Sequence, residues 1–175
     1  MVKVERSYPA PASLAVEETV IEQYELLYKQ AEEIIGTEPH YVAALSNLSA
    51  LIYQSFERVN WAGFYLMDRG SLLVGPFQGK PACIRIEIGK GVCGTAVHLQ
   101  KVQRVDDVHD FPGHIACDSE SRSEIVVPIW HKGNIVGVLD IDSPVAGRFS
   151  KEDEEGLCSL VRLIGEKVDF DGIRE

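Results

Sequence analysis

Cys83, Cys93 and Cys117 crowd the middle of the chain, and the last of them lies in a segment whose composition suits chemistry. That segment reads Phe111-Pro112-Gly113-His114-Ile115-Ala116-Cys117-Asp118-Ser119. Pro112 and Gly113 interrupt regular structure, and so does the Asp/Ser run that follows Cys117. A cysteine used as core filler lies in an apolar periodic run, whereas Cys117 sits between breakers and polar residues. Accessibility of this kind is the first requirement for a reactive thiol. No Cys-x-x-Cys or His-x-x-x-His spacing occurs, which argues against a structural zinc site. Cys158 falls in an apolar-rich helical pattern and reads as core, the usual place of a free cysteine. Cys93 fits either role. The five histidines, His40, His98, His109, His114 and His131, read as surface or loop residues, with His109 and His114 close enough in sequence to influence Cys117.

Carboxylates form a second group. In Ile135-Val136-Gly137-Val138-Leu139-Asp140-Ile141-Asp142, a strand places Asp140 and Asp142 on the face of Val136 and Val138. Two like charges on an apolar face are costly unless something compensates them. Either the strand emerges into water at Asp140, or the pair has a partner. Glu124 begins the preceding strand, and an antiparallel hairpin would bring it beside Asp140 and Asp142. Three converging carboxylates attract a cationic ligand or raise one another's pKa until one holds a proton. Trp61 and Tyr65 are four apart in a strand pattern and face one side. They are core residues or half of a cage for an ammonium- or sulfonium-like group.

These groups need elements to position them. The 175 residues, 45% of them hydrophobic, suffice for one domain with a full core. The charged start, Met1-Val2-Lys3-Val4-Glu5-Arg6, lacks the apolar stretch of a signal peptide, and no run is long enough to span a membrane. The reading is a soluble cytoplasmic protein, where permanent disulfide staples are rare. A net charge of −10 with no basic stripe argues against nucleic acid or an anionic membrane as partner.

Residues 1–15 read as a flexible tail and 16–172 as a single catalytic domain. Helical spacing runs through Val20, Tyr24, Leu27, Ala31 and Ile34 to Gly36, and again after Pro39 through Leu45, Leu48, Ile52 and Phe56. Asn60 to Met67 reads as a strand turning at Asp68-Arg69-Gly70 into Leu72-Leu73-Val74, with 75–81 irregular. Cys83 to Ile88 reads as a strand, and Cys93, Ala96 and Leu99 as a short helix. Residues 104–122 form a long loop of the functional kind. Ile125–Trp130 and Ile135–Ile141 form a hairpin, and Ser150 with Asp153 opens a closing helix through a capping-box pattern. The order gives an α+β fold: a mainly antiparallel sheet with helices packed on it.

Several stretches together resemble one known family, the free methionine-(R)-sulfoxide reductases, an enzymatic branch of the GAF domains. They are Asn60-Trp61-Ala62-Gly63-Phe64-Tyr65-Leu66, Gly75 to Cys83, Gly91-Val92-Cys93-Gly94-Thr95-Ala96, Asp110 to Asp118, Arg122 to Pro128 and Gly137 to Ser143. The resemblance runs from about Val16 to about Val168 and covers all three motif cysteines and all three motif carboxylates. It implies a GAF-like sheet of about six antiparallel strands flanked by helices, a homodimer, and reduction of free methionine-(R)-sulfoxide rather than of the protein-bound residue. It implies Cys117 as nucleophile, Cys83 as resolving cysteine and Cys93 as a third thiol able to form an alternative disulfide. Trp61 and Tyr65 would hold the substrate's methyl end, and Glu124, Asp140 and Asp142 its ammonium group and sulfoxide oxygen. A thioredoxin-type dithiol would recycle the disulfide, with no metal, flavin or nicotinamide in the chain. A ligand-sensing GAF module and a thiol peroxide sensor using Cys117 are the rival readings.

Overall fold

The computed structural model describes residues 13–113 and 119–172. Residues 1–12, most of the expected tail, lie outside it, as do 114–118, which include His114 and Cys117. Helix α1 spans Ser13–Thr37 and α2 spans Tyr41–Ser55. Six strands follow, interrupted by α3 at Gly91–Leu99: β1 at Trp61–Asp68, β2 at Ser71–Gly79, β3 at Arg85–Glu87, β4 at Gln103–Val105, β5 at Ser123–His131 and β6 at Asn134–Ser143. Helix α4, Lys151–Lys167, follows the strands. All strand pairs are antiparallel in the order β3-β2-β1-β6-β5-β4, which makes the fold α+β.

The central strands are covered on both faces, so alternate residues go to two separate cores. On one side Ala62, Phe64 and Leu66 of β1, Ile125, Val127 and Ile129 of β5, and Leu139 and Ile141 of β6 pack with α1, α2 and α4. On the other, Trp61 and Tyr65 join Val126, Val138, Leu72 and Ile86 beneath Val92, Cys93 and Ala96 of α3. The first core is the larger and carries most of the apolar burial that holds the sheet. The second is small, and its open end is where polar groups gather.

Turn chemistry fixes the register. The β5–β6 hairpin closes through Lys132 and Gly133, at φ 48° and 85°, and the β1–β2 hairpin through Arg69 and Gly70, at φ 51° and 77°. Two successive positive φ values are what a two-residue turn needs to match the twist of its strands. At the other end of the sheet, Ser150 opens α4. Its hydroxyl accepts from Asp153 N while the Asp153 carboxylate accepts from Ser150 N, a capping box with Asp in the place usually held by Glu.

Three segments and two residues differ from the sequence reading. Strand β2 runs on to Gly79 instead of ending at Val74. A bulge opposite Phe64 absorbs Gly75 and Pro76, and β3 pairs only as far as Leu73. Pro76 therefore has no ladder bond to lose. Strand β3 is shorter than the expected 83–88. The expected loop over 104–122 begins inside a short edge strand, β4, and holds a turn of 3₁₀ helix at Val108–Asp110. Cys158 is only half-buried, at the margin of the larger core. His131 is not a surface residue: its half-buried ring lies edge-on to Phe170, with Nδ1 2.8 Å from Gly165 O. Among the described residues no helix is long and apolar enough to cross a membrane.

Candidate active site

Three adjacent strands present one row of side chains to the smaller core. In register, Trp61 of β1 lies opposite Asp142 of β6, and Asp142 lies opposite Glu124 of β5. One step along, Gly63 pairs with Asp140 and Asp140 with Val126; beyond that, Tyr65 pairs with Val138. Side chains two residues apart share a face, so Trp61, Tyr65, Asp140, Asp142 and Glu124 all emerge on one side. The antiparallel geometry expected of the hairpin thus brings the three carboxylates together. Asp140 does not emerge into water: it and Glu124 are each 6% exposed, while Asp142 is half-buried.

These residues and Cys93 line a cleft of about 540 Å³, counted to its open mouth. Lys80, Pro81 and Ala82 form one side and the first turn of α3, Gly91 to Cys93, another. The aromatic wall is a stack: Trp61 lies 5.2 Å from Phe77 and 5.8 Å from Tyr65, ring centre to ring centre. Gly63 makes the stack possible, because Phe77 Cβ occupies the space a Gly63 side chain would need. The same two aromatics hold the strip that leads to Cys83. Trp61 Nε1 donates to Lys80 O at 3.2 Å, and Tyr65 Oη donates to Cys83 O at 3.0 Å.

Cys83 is disulfide-bonded, whereas Cys93 and Cys158 carry free thiols. Cys93 is buried, and its Sγ donates to Glu124 Oε1 at 3.9 Å. Burial pushes its pKa well above the ordinary thiol value, and the Asp140 and Glu124 charges push the same way. A thiol in this setting stays protonated and is a poor nucleophile.

Burial is also the main cause of the carboxylate shifts. Glu124 is raised well above the usual range by loss of water, then by the charges of Asp140 and Asp142. Asp140 is raised to about 7, again by burial, with hydrogen bonding to Cys93 and Glu124 pulling it back. The pair can therefore retain a proton at neutral pH, which makes it a candidate general acid. Asp140 Oδ1 is buried and has no hydrogen-bond partner among the described residues, so the cleft ends in an unused acceptor.

Sequence reasoning missed several contributors. Ser121 is buried, lines the cleft and accepts a hydrogen bond from Asn60 Nδ2 at 3.1 Å, yet no pattern marks it. Phe77 fell in a stretch read as irregular. Lys80 was legible only as part of a family motif; it lines the cleft and pairs with Glu120 at 2.5 Å. His109 is bonded to Asp107 at 2.7 Å, and Asp107 also pairs with Arg122, which leads into β5. Cys117 and His114 lie outside the described residues.

A family model described as GAF domain matches residues 30–168. The free methionine-R-sulfoxide reductase of Escherichia coli strain K12 is 54% identical over 147 residues, 84% of this chain and 88% of its own. A solved structure of the fRMsr of Staphylococcus aureus in complex with substrate is 48% identical, with a TM-score of 0.78 over 91% of this chain and 97% of that one. The free methionine-R-sulfoxide reductase of Neisseria meningitidis, solved in complex with its substrate, is 38% identical, with a TM-score of 0.79 over 91% and 92% of the two chains.

Proposed function

This chain belongs to the free methionine-(R)-sulfoxide reductases, an oxidoreductase branch of the GAF domains, and from that premise we propose that it reduces free L-methionine-(R)-sulfoxide through Cys117, Cys83 and a buried carboxylate acid. The observation that carries the reading is the convergence of the Trp61–Tyr65 wall with Glu124, Asp140 and Asp142 in one cleft beside the Cys83 strip.

Each part has a task that the reaction requires. A sulfoxide sulfur is a poor electrophile until its oxygen is protonated or strongly hydrogen-bonded, and the Glu124–Asp140 pair holds a proton where one is needed. The half-buried Asp142 offers its carboxylate to the substrate's ammonium group. The first turn of α3 has amide hydrogens with no intrahelical partner, which suit the substrate's carboxylate. Trp61 and Tyr65 take the methyl end. The Cys117 thiol attacks sulfur, the S–O bond breaks, and thiol plus sulfoxide becomes a Cys117 sulfenic acid plus methionine. Cys83 then condenses with the sulfenic acid, releasing water and forming a disulfide. That Cys83 is the cleft-side cysteine found in a disulfide, while Cys93 and Cys158 are free, supports this pairing. A thioredoxin-type dithiol takes up the disulfide and restores both thiols. Cys93 stays a protonated hydrogen-bond donor to Glu124 and serves as a reserve thiol. The protein acts as a cytoplasmic homodimer whose catalytic domain covers residues 16–172.

Two results would test the parts. Cys83→Ser should still release about one methionine per chain in a single turnover, since attack by Cys117 does not need Cys83, while thioredoxin-driven turnover falls. Unchanged turnover with thioredoxin would show that resolution takes another route. The acid predicts a pH limb. A proton donor works only while protonated, so methionine release in a single turnover should decline as pH rises through the Asp140 value of about 7. Asp140→Asn should slow release by about 10²–10⁴-fold and remove that limb. A wild-type profile flat from pH 6 to roughly 9 would exclude the carboxylate donor.

A further inference from the structure

The deepest part of the cleft also has the composition of a metal site, assembled from three elements far apart in sequence. Cys93 of α3, Glu124 of β5 and Asp140 of β6 each offer a ligand atom, and these atoms lie within 4.8 Å of one another. All three residues are more than nine-tenths buried, yet all line the cleft. The Asp140 oxygen that lacks a hydrogen-bond partner is an independent sign of an unfilled coordination position. The reductase chemistry proposed above uses the Cys93 sulfur as a protonated hydrogen-bond donor to Glu124 and as a reserve thiol, never as a thiolate in this cluster.

We propose that Cys93, Glu124 and Asp140 form a binding site for a soft divalent cation of the zinc class. Zinc–sulfur and zinc–oxygen bonds of about 2.3 and 2.0–2.2 Å set tetrahedral sulfur and oxygen ligands roughly 3.5 Å apart. Cys93 Sγ and Glu124 Oε1 are already at 3.9 Å, so that edge closes by a few tenths of an ångström, and the remaining edges start from no more than 4.8 Å. One thiolate with two carboxylates favours zinc or cobalt over magnesium and calcium, which take oxygen ligands alone. Three protein ligands with the fourth position open to the cleft match the open kind of zinc site. On binding, the Cys93 thiol and the Glu124–Asp140 pair release their protons to solvent, and the thiolate and both carboxylates bond the cation; ligands must be deprotonated, and the ion itself drives their loss of protons. No electron moves. The cation fills the place where the proposed function puts the substrate's ammonium and sulfoxide groups, so metal and substrate exclude each other. The site is thus inhibitory.

The test uses the full chain in its oxidised form, with Cys83 engaged in the disulfide, and contains no sulfoxide. Its outcome is therefore independent of whether the chain reduces methionine sulfoxide. Co²⁺ is titrated in, and the near-ultraviolet sulfur-to-cobalt charge-transfer band is read; Zn²⁺ affinity is measured by displacement of the cobalt. The band is expected in the wild-type protein and in Cys158→Ser, and should be absent in Cys93→Ser. Losing an outer-shell partner of a metal ligand costs about 10–100-fold in affinity, so loss of a direct ligand in Cys93→Ser or Asp140→Asn should lower Zn²⁺ affinity by at least about 100-fold. Asp140→Asn keeps all thiols, which separates a lost ligand from a lost sulfur. A wild-type protein with no band, a band retained in Cys93→Ser, a band lost only in Cys158→Ser, or unchanged Zn²⁺ affinity in Asp140→Asn would each overturn the proposal.

Discussion

Cys117→Ser is expected to release no methionine from free methionine-(R)-sulfoxide, in single or multiple turnovers. Elimination among the thiols and the family motif both point to Cys117. Cys93 is buried, protonated and hydrogen-bonded to a carboxylate, with a pKa driven upward by burial and by the neighbouring Asp140, Glu124 and Asp142. Cys158 lies on α4, whose side chains pack on the other face of the sheet from the cleft. Cys83 is held at the cleft rim by the Tyr65 hydroxyl and is assigned to resolution. A serine hydroxyl is a far weaker nucleophile than a thiolate and cannot pass through a sulfenic acid. The measurement is methionine formed per chain in the reduced variant. Release at a tenth of the wild-type rate or more would remove Cys117 from the nucleophile's place.

The second large effect is on substrate choice. The cleft is polar at one wall and aromatic at the other, and of its three carboxylates Glu124 and Asp140 are almost fully buried and Asp142 half-buried. Acetylating the substrate amine deletes its positive charge and adds bulk where Glu124, Asp140 and Asp142 converge. Leaving a fully buried charge without its partner costs about 3–5 kcal/mol; for the half-buried Asp142 that is an upper bound, a loss of at most roughly 10²–10⁴ in rate. In the S epimer, oxygen and methyl exchange places. The oxygen then meets Trp61 and Tyr65, the methyl faces the proton donor, and a site built around a hydrogen bond rejects such an analogue by about 10⁴–10⁵. Thioredoxin-coupled rates for the free R epimer, the free S epimer and the N-acetylated R epimer measure both effects. Similar rates for free and acetylated R forms would refute the ammonium pocket, and similar rates for the two epimers would refute the methyl wall.

What the sequence made legible follows the range of the interactions concerned. The β5–β6 hairpin is written in a period-2 apolar pattern and a Lys132-Gly133 turn, and its register put Glu124 beside Asp142. The site's carboxylates could therefore be grouped before any coordinates. That Trp61 faces Asp142, and so joins the aromatic wall to the acidic one, depends on β1 pairing with β6, a contact across nearly the whole length of the sheet sequence. No local signal fixes such a pairing. Strand β2 beyond Val74 was hidden for a different reason. Gly75 and Pro76 are poor strand formers, tolerated because the bulge and the missing third strand release Pro76 from the ladder. Strand β4 has three residues and one neighbour, too few for any periodicity to register. The Cys93–Glu124–Asp140 cluster was invisible because its members come from a helix and two strands. Spacing rules find metal ligands only when they are close along the chain.

Cys117 and Cys83 are the thiols proposed to take up the oxygen of the substrate. Fully reduced protein, mixed with excess free methionine-(R)-sulfoxide and no external reductant, tests that assignment most directly. Methionine is quantified, and the remaining thiols are alkylated and assigned by peptide mass. The account predicts about one methionine per chain, a new disulfide between Cys83 and Cys117, and alkylation retained at Cys93 and Cys158. No methionine, or methionine formed while Cys83 and Cys117 both remain alkylatable, would contradict it.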